Sequence, residues 1–370
     1  VTASLPETTS ATSRTARVPA ALRLGTVSLV WRPAMVAVVA SLAATLFLLF
    51  CLHIAFGGTP LPPARVLEVL AGGGTRSQRF IVLESRLPRA LTAVVVGIAL
   101  GLAGAITQSV LHNPLAAPDV LGIGAGAGLG AVAVVVGAGG ATTGLAAGLG
   151  APAAAIAGGL LTAATIHLLS WGRNPTGDRG ASGLRLVLIG VGANSLLLSG
   201  INWLLARSPL TETMRLQQWL TGSLATTSYS ALVPAAVATA FVVAIALGSA
   251  HTLAALRLGA DTTRVLGVRL HRRQALLIGA AVVGVSVATA TAGPIAFVGL
   301  LAPQLARRLL RTPGEPLIGS ALLGAIVMVG ADLIARNLFP VELPVGIVTA
   351  AIGGPFLLLL LVHINRKATL

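Results

Sequence analysis

Ten runs of apolar residues, most of them long enough to cross a bilayer, leave this chain few ways to fold. They cover 34–56, 90–111, 119–139, 145–170, 184–206, 230–250, 274–293, 295–310, 317–336 and 344–363. A membrane-spanning helix needs about 20 such residues, and in lipid only helices and closed barrels can pair every backbone N–H and C=O internally. Hydrophobic residues make up 55% of the chain and charged residues 9%. Soluble domains carry about 25% charge, so lipid must be the solvent for most of this surface. The expected fold is an all-α polytopic membrane protein of about ten transmembrane helices. The eighth run is short and bracketed by Pro294 and Pro303, which predicts a tilted or re-entrant segment. Residues 1–33 are expected to be a disordered cytoplasmic tail, 34–364 the membrane domain, and 365–370 a second cytoplasmic tail.

Orientation follows from the basic residues. With the N-terminus inside, 17 of the 25 Lys and Arg fall on the cytoplasmic side and 8 outside, the bias that sets topology in membranes. Both termini are therefore expected inside. The net charge of +15 does not predict nucleic-acid binding, because the arginines sit between apolar runs instead of lining one stripe. The first outside loop breaks the bias with Arg65, Arg76, Arg79, Arg86 and Arg89. Glycines recur every fourth residue at Gly97 and Gly101, at Gly122, Gly126 and Gly130, and at Gly124 and Gly128. Such stripes predict close helix–helix packing, since apolar burial drives no association between helices in lipid.

Several chemistries have no residues to run on. There is no GxxxxGK[ST] phosphate loop, no HExxH and no GxSxG, and the single Cys51 excludes a cysteine-rich metal site. No catalytic residue, resident metal or cofactor is expected. Acidic residues are scarce within the spans, where a proton- or sodium-driven carrier usually keeps them. Asp332 and Arg336 lie four apart on one helical face, which predicts a local ion pair.

Three blocks carry a family resemblance. They are SRLPRALTAVVVGIALGLAGAITQSVLHNPLAAPDVLGIGAGAG at 85–128, LRLGADTTRVLGVRLHRRQ at 256–274, and the stretch 293–362 containing GPIAFVGLLAPQ, GADLIAR and ELPVG. Together they resemble the FecCD family of ATP-binding-cassette permeases, which import ferric siderophores, haem and cobalamin. The resemblance spans about 35–365 and implies a ten-helix, multi-pass subunit of the bacterial plasma membrane. Such a subunit pairs with a second permease subunit and works with a cytoplasmic ATPase dimer, which holds ATP and Mg, and an extracytoplasmic substrate-binding protein. It implies that Arg86, Arg89 and Arg336 dock the binding protein. It also implies that the loop holding Gly259, Ala260, Asp261, Val265, Leu266, Gly267 and Val268 couples to the ATPase. Where the family usually has GPIxFVGLxxPH, this chain has Gln304, which keeps a donor and an acceptor but cannot titrate. A local hydrogen bond is expected there.

Asn194, Ser195, Ser199 and Asn202 lie loosely on one side of the fifth run and are candidates to line a pathway, with helix–helix hydrogen bonding an equal alternative. Ferric siderophore is the expected cargo, with haem or cobalamin as alternatives. A self-contained carrier or channel is the alternative from a different class.

Overall fold

The computed structural model describes residues 21–24, 27–30, 33–58, 61–119, 122–137, 150–173, 179–181, 183–257, 262–263, 270–312, 314 and 316–368. Among these, eight helices are long and apolar enough to cross a membrane. Helix α1 is Pro33–Ala55, and a short α2 (Pro63–Leu70) follows it. The second crossing runs from Arg76 to Leu111 in three parts: one turn of α3 (Arg76–Arg79), a π-helical stretch Phe80–Arg86, and α4 (Leu87–Leu111). Next come α5 (Ile123–Gly137), α6 (Ala151–Ser170), α7 (Gly183–Ala206), α8 (Leu210–Leu220), α9 (Tyr229–Gly248) and α10 (Ala250–Leu256). The chain then forms α11 (Leu270–Ala292), α12 (Val298–Leu309), α13 (Leu317–Asn337) and α14 (Val345–Ala368).

The ten expected runs thus appear as eight long helices and two short ones. Helix α5 has 15 residues and α12 has 12. Its brevity agrees with the prolines that bracket the eighth run. The third run is shorter than expected because it begins at Ile123, beyond the turn containing Pro114 and Pro118. Within the N-terminal segment two short strands, β1 (Ala21–Leu24) and β2 (Val27–Val30), pair antiparallel. Each strand holds three apolar residues and one polar one, Arg23 or Ser28, and the two flank Gly-Thr, a hairpin pattern. A second hairpin, β3 (Trp171–Arg173) with β4 (Arg179–Ala181), connects α6 to α7.

Helix α4 forms the axis of the molecule. It is buried along nearly its whole length, while α1 buries only His53, Ile54 and Ala55 at its end. The glycine stripes explain how α4 takes its neighbours so close. A Cβ on Gly97 or Gly101 would strike the backbone of Gly324 or Ser320 on α13, and one on Gly104 would strike Gly299 on α12. Gly126 and Gly130 likewise meet Gly158 and Ala154 on α6. The stripes at Gly97 and Gly101 and at Gly126 and Gly130 therefore pack helix on helix, whereas Gly124 has only Pro294 Cβ at 3.9 Å from the place of its Cβ.

Candidate functional site

Polar side chains collect at both ends of α4. Gln108 follows Arg89 by nineteen residues, which at about 1.5 Å per residue is roughly 28 Å, close to the hydrocarbon thickness.

At the outer end the sequence places a π-helical turn before Arg86, and Pro88 just after it. Proline has no N–H to give the carbonyl four residues back, so the widened turn and the proline suit each other. The result aims Arg86 and Arg89 into the protein, where they are 4% and 8% exposed. Arg89 makes a bidentate pair with Asp332 of α13, from Nε to Oδ2 at 2.8 Å and from Nη2 to Oδ1 at 2.8 Å. Its Nη1 donates to Glu342 Oε1 at 2.6 Å. Asp332 is fully buried and also accepts from His53 Nε2 at 2.7 Å. Arg86 Nη1 donates to the carbonyls of Ile54 and Ala55, both at 2.9 Å. Arg336 Nη2 donates to His53 O at 2.8 Å and to Phe56 O. Two arginines from different helices thus close the orphan carbonyls at the end of α1, where positive charge is favourable.

This geometry corrects one expectation. The local Asp332–Arg336 pair is not formed, because Asp332 turns across to Arg89 and His53 while Arg336 caps α1. Of the three arginines expected to dock the binding protein, Arg86 and Arg89 are buried and Arg336 is half-buried. Sequence reasoning missed His53 and Glu342. The only available signal was that an ionisable residue in a span needs a partner.

At the inner end the side chains are mostly neutral. Gln304 of α12 is fully buried, and its Nε2 donates to Gln108 Oε1 at 2.6 Å and to Pro114 O at 3.0 Å. Its Oε1 accepts from Arg307 at 2.8 Å. The hydrogen bond expected of Gln304 is present. Gln108 Nε2 in turn donates to Leu300 O at 3.3 Å. The turn after α4 is shaped by Asn113, whose Oδ1 accepts from Leu115 N at 2.9 Å. Asp119 Oδ2 accepts from Phe297 N at 3.2 Å, just before α12 begins. The turn therefore grips α12 at its start and again two helical turns along.

The pathway candidates occupy one side of α7. Ser195, Ser199 and Asn202 are exposed and Asn194 is half-buried. Ser195 and Ser199 donate back to Val191 O and Ser195 O within the helix, so neither hydroxyl is spent on a neighbouring helix. Residues Gly259, Ala260, Asp261, Val265, Leu266, Gly267 and Val268 lie outside the described residues. Among the described residues no cluster of three His, Cys, Asp or Glu side chains could hold a metal ion.

A glycine-packed bundle of this kind, with a charged cluster at one end of its axis and an amide cluster at the other, defines a polytopic helical membrane protein. The chain belongs to the FecCD transport family, whose profile matches residues 45–363. It is 38% identical over 312 residues to the ferric enterobactin transport system permease protein of Escherichia coli, covering 84% of this chain and 91% of that one. It is 33% identical to the iron(3+)-hydroxamate import system permease protein of Bacillus subtilis, covering 85% and 94%. Its fold matches the solved inward-facing structure of an ABC transporter assigned to the metal-chelate type, with TM-score 0.74 and 27% identity over 88% of this chain and 99% of that one. The chain is thus a multi-pass permease of the bacterial inner membrane.

Proposed function

We propose that this chain is the membrane subunit through which an ATP-driven importer moves ferric siderophores inward, with a separate ATPase supplying the energy. The observation that carries this reading is the family match across 45–363 in a chain without a phosphate-binding loop. The relatives at 38% and 33% identity carry ferric enterobactin and ferric hydroxamate in their names, which supports iron chelates over haem or cobalamin as cargo. The exposed polar side of α7 supports a pathway between two permease subunits, lined by Asn194, Ser195, Ser199 and Asn202. The loop 256–274, with Leu266 at its apolar patch, is the segment offered to the ATPase. A short apolar-faced segment suits a groove on a partner. The arginine cluster supports a docking surface of altered form. Arg86 and Arg89 hold the rim in shape, and the half-buried Arg336 is the one available to an acidic partner.

The test is uptake of labelled ferric enterobactin, ferric hydroxamate, haem and cobalamin by a deletion strain, with and without this chain. Restored uptake of an iron chelate is expected. Restoration only of haem or cobalamin overturns the cargo. Transport by the purified chain in ATPase-free liposomes overturns the importer itself.

A further inference from the structure

The end of α10 is the last described helix before the loop proposed to meet the ATPase, and two different segments hold its final carbonyls. Thr263, from within that loop and fully buried, donates its Oγ1–H to Ala255 O at 2.8 Å. His112, from the turn after α4, donates Nε2–H to Leu256 O at 2.8 Å. The last carbonyls of a helix have no partner within it, so whatever occupies them is fastened to that end. The Arg257 guanidinium also lies beside Gly314, where no Cβ would fit. Gly314 follows α12 by five residues.

From His112 the connections lead to one element. His112 itself sits at φ 50, in the left-handed region, as the cap of α4. Two residues on, Pro114 O accepts from Gln304 of α12, and Asp119 accepts from Phe297 N at the start of α12. The His112 fastening therefore reaches α12 through the turn 112–119, and Arg257 lies beside Gly314 in the segment that follows α12. Helix α12 has only 12 residues, with Pro303 inside it and Phe297 at φ 67 at its start.

We infer that His112 is a positioning residue that clamps the end of α10 to the turn 112–119, so that displacement of the coupling loop is delivered to α12. The inference rests on the reading of loop 256–274 as the ATPase-coupling segment. His112 touches neither cargo nor nucleotide. It acts by holding Leu256.

The test uses the whole complex: this chain with its permease partner, ATPase and binding protein, reconstituted in lipid vesicles. Replacement by glycine suits this position, because glycine accepts the positive φ and only the ring is lost. His112→Gly is expected to co-purify with the ATPase and keep basal hydrolysis. Binding-protein-stimulated hydrolysis should fall roughly two- to tenfold, the range set by one hydrogen bond's net contribution. His112→Gln, which restores an N–H donor of similar reach, should recover most of the stimulation, as a merely structural role would not require. Arg257→Ala, at an exposed side chain, should lower stimulation in the same direction, and the double variant should fall below either. This pair keeps the test decisive should His112→Gly assemble poorly. Leu266→Asp is the control for the underlying reading. If it abolishes stimulation while His112→Gly and Arg257→Ala match wild type, the clamp is overturned and the coupling loop stands. If Leu266→Asp also matches wild type, the coupling reading falls and the clamp falls with it.

Discussion

The two ends of α4 solve the same problem, polar groups inside a membrane protein, with opposite chemistry. At the outer end Arg89, Asp332 and His53 form a buried charged cluster that three helices share. At the inner end Gln108 and Gln304 form a buried pair of neutral amides. Removing one partner of a buried ion pair costs about 3–5 kcal/mol, because the other charge is left without compensation. Losing one neutral hydrogen bond costs about 1–3 kcal/mol when the remaining group stays buried. The charged end is therefore a fixed platform. The amide end can exchange partners at a cost that ligand binding or ATP turnover can meet. This places rigidity where a partner protein is proposed to land, and adjustability beside the proposed ATPase contact.

Removing Arg89 is expected to have the largest effect. Arg89→Ala strands Asp332 and should lower stability by roughly 3–5 kcal/mol, read as a large drop in the melting temperature of the detergent-solubilised protein. The double variant Arg89→Met with Asp332→Leu should regain most of that loss, since similar-volume apolar pairs often replace buried ion pairs at little cost. If the double variant is no more stable than the single, the platform owes its rigidity to something other than charge pairing.

Gln304→Leu should cost less, about 1–3 kcal/mol, because it strands Gln108 Oε1 and Pro114 O and takes one bond from the half-buried Arg307, without leaving a fully buried charge unpaired. Gln304→His, which places the family's usual residue there, keeps one donor and should lose less than Gln304→Leu in the same melting assay. A larger loss for Gln304→Leu than for Arg89→Ala would reverse the comparison.

The smallest effect belongs to Glu342→Gln. Glu342 pairs with Arg89, but its side chain is 44% exposed, so the bridge is worth about 0–1 kcal/mol and is screened by salt. Melting temperatures of the wild type and Glu342→Gln should converge as ionic strength rises. A difference that survives high salt would move Glu342 into the buried platform.

Much of this was legible in the sequence because lipid imposes strong rules. Runs of apolar residues set the spans, and the fourfold glycine spacing set which faces pack closely. Pro294 and Pro303 marked α12 as short. A His-to-Gln change at 304 left a donor and an acceptor, and the structure uses both. The paired strands Ala21–Leu24 and Val27–Val30 are less legible, because four-residue segments in a Ser- and Thr-rich stretch carry little periodic signal.

What the sequence by itself determined was the solvent, the all-helical class, the approximate limits of the spans, and the family. Tertiary structure alone decided the partners of the polar groups. Asp332 and Arg336 are neighbours on one helix, yet Asp332 pairs with Arg89, 243 residues away, and with His53, 279 away. Arg336 reaches the end of α1 instead. Local spacing can state only which side chains are able to meet. Burial decides which do, because in a medium without water every charge must find its complement among whatever helices the packing brings beside it.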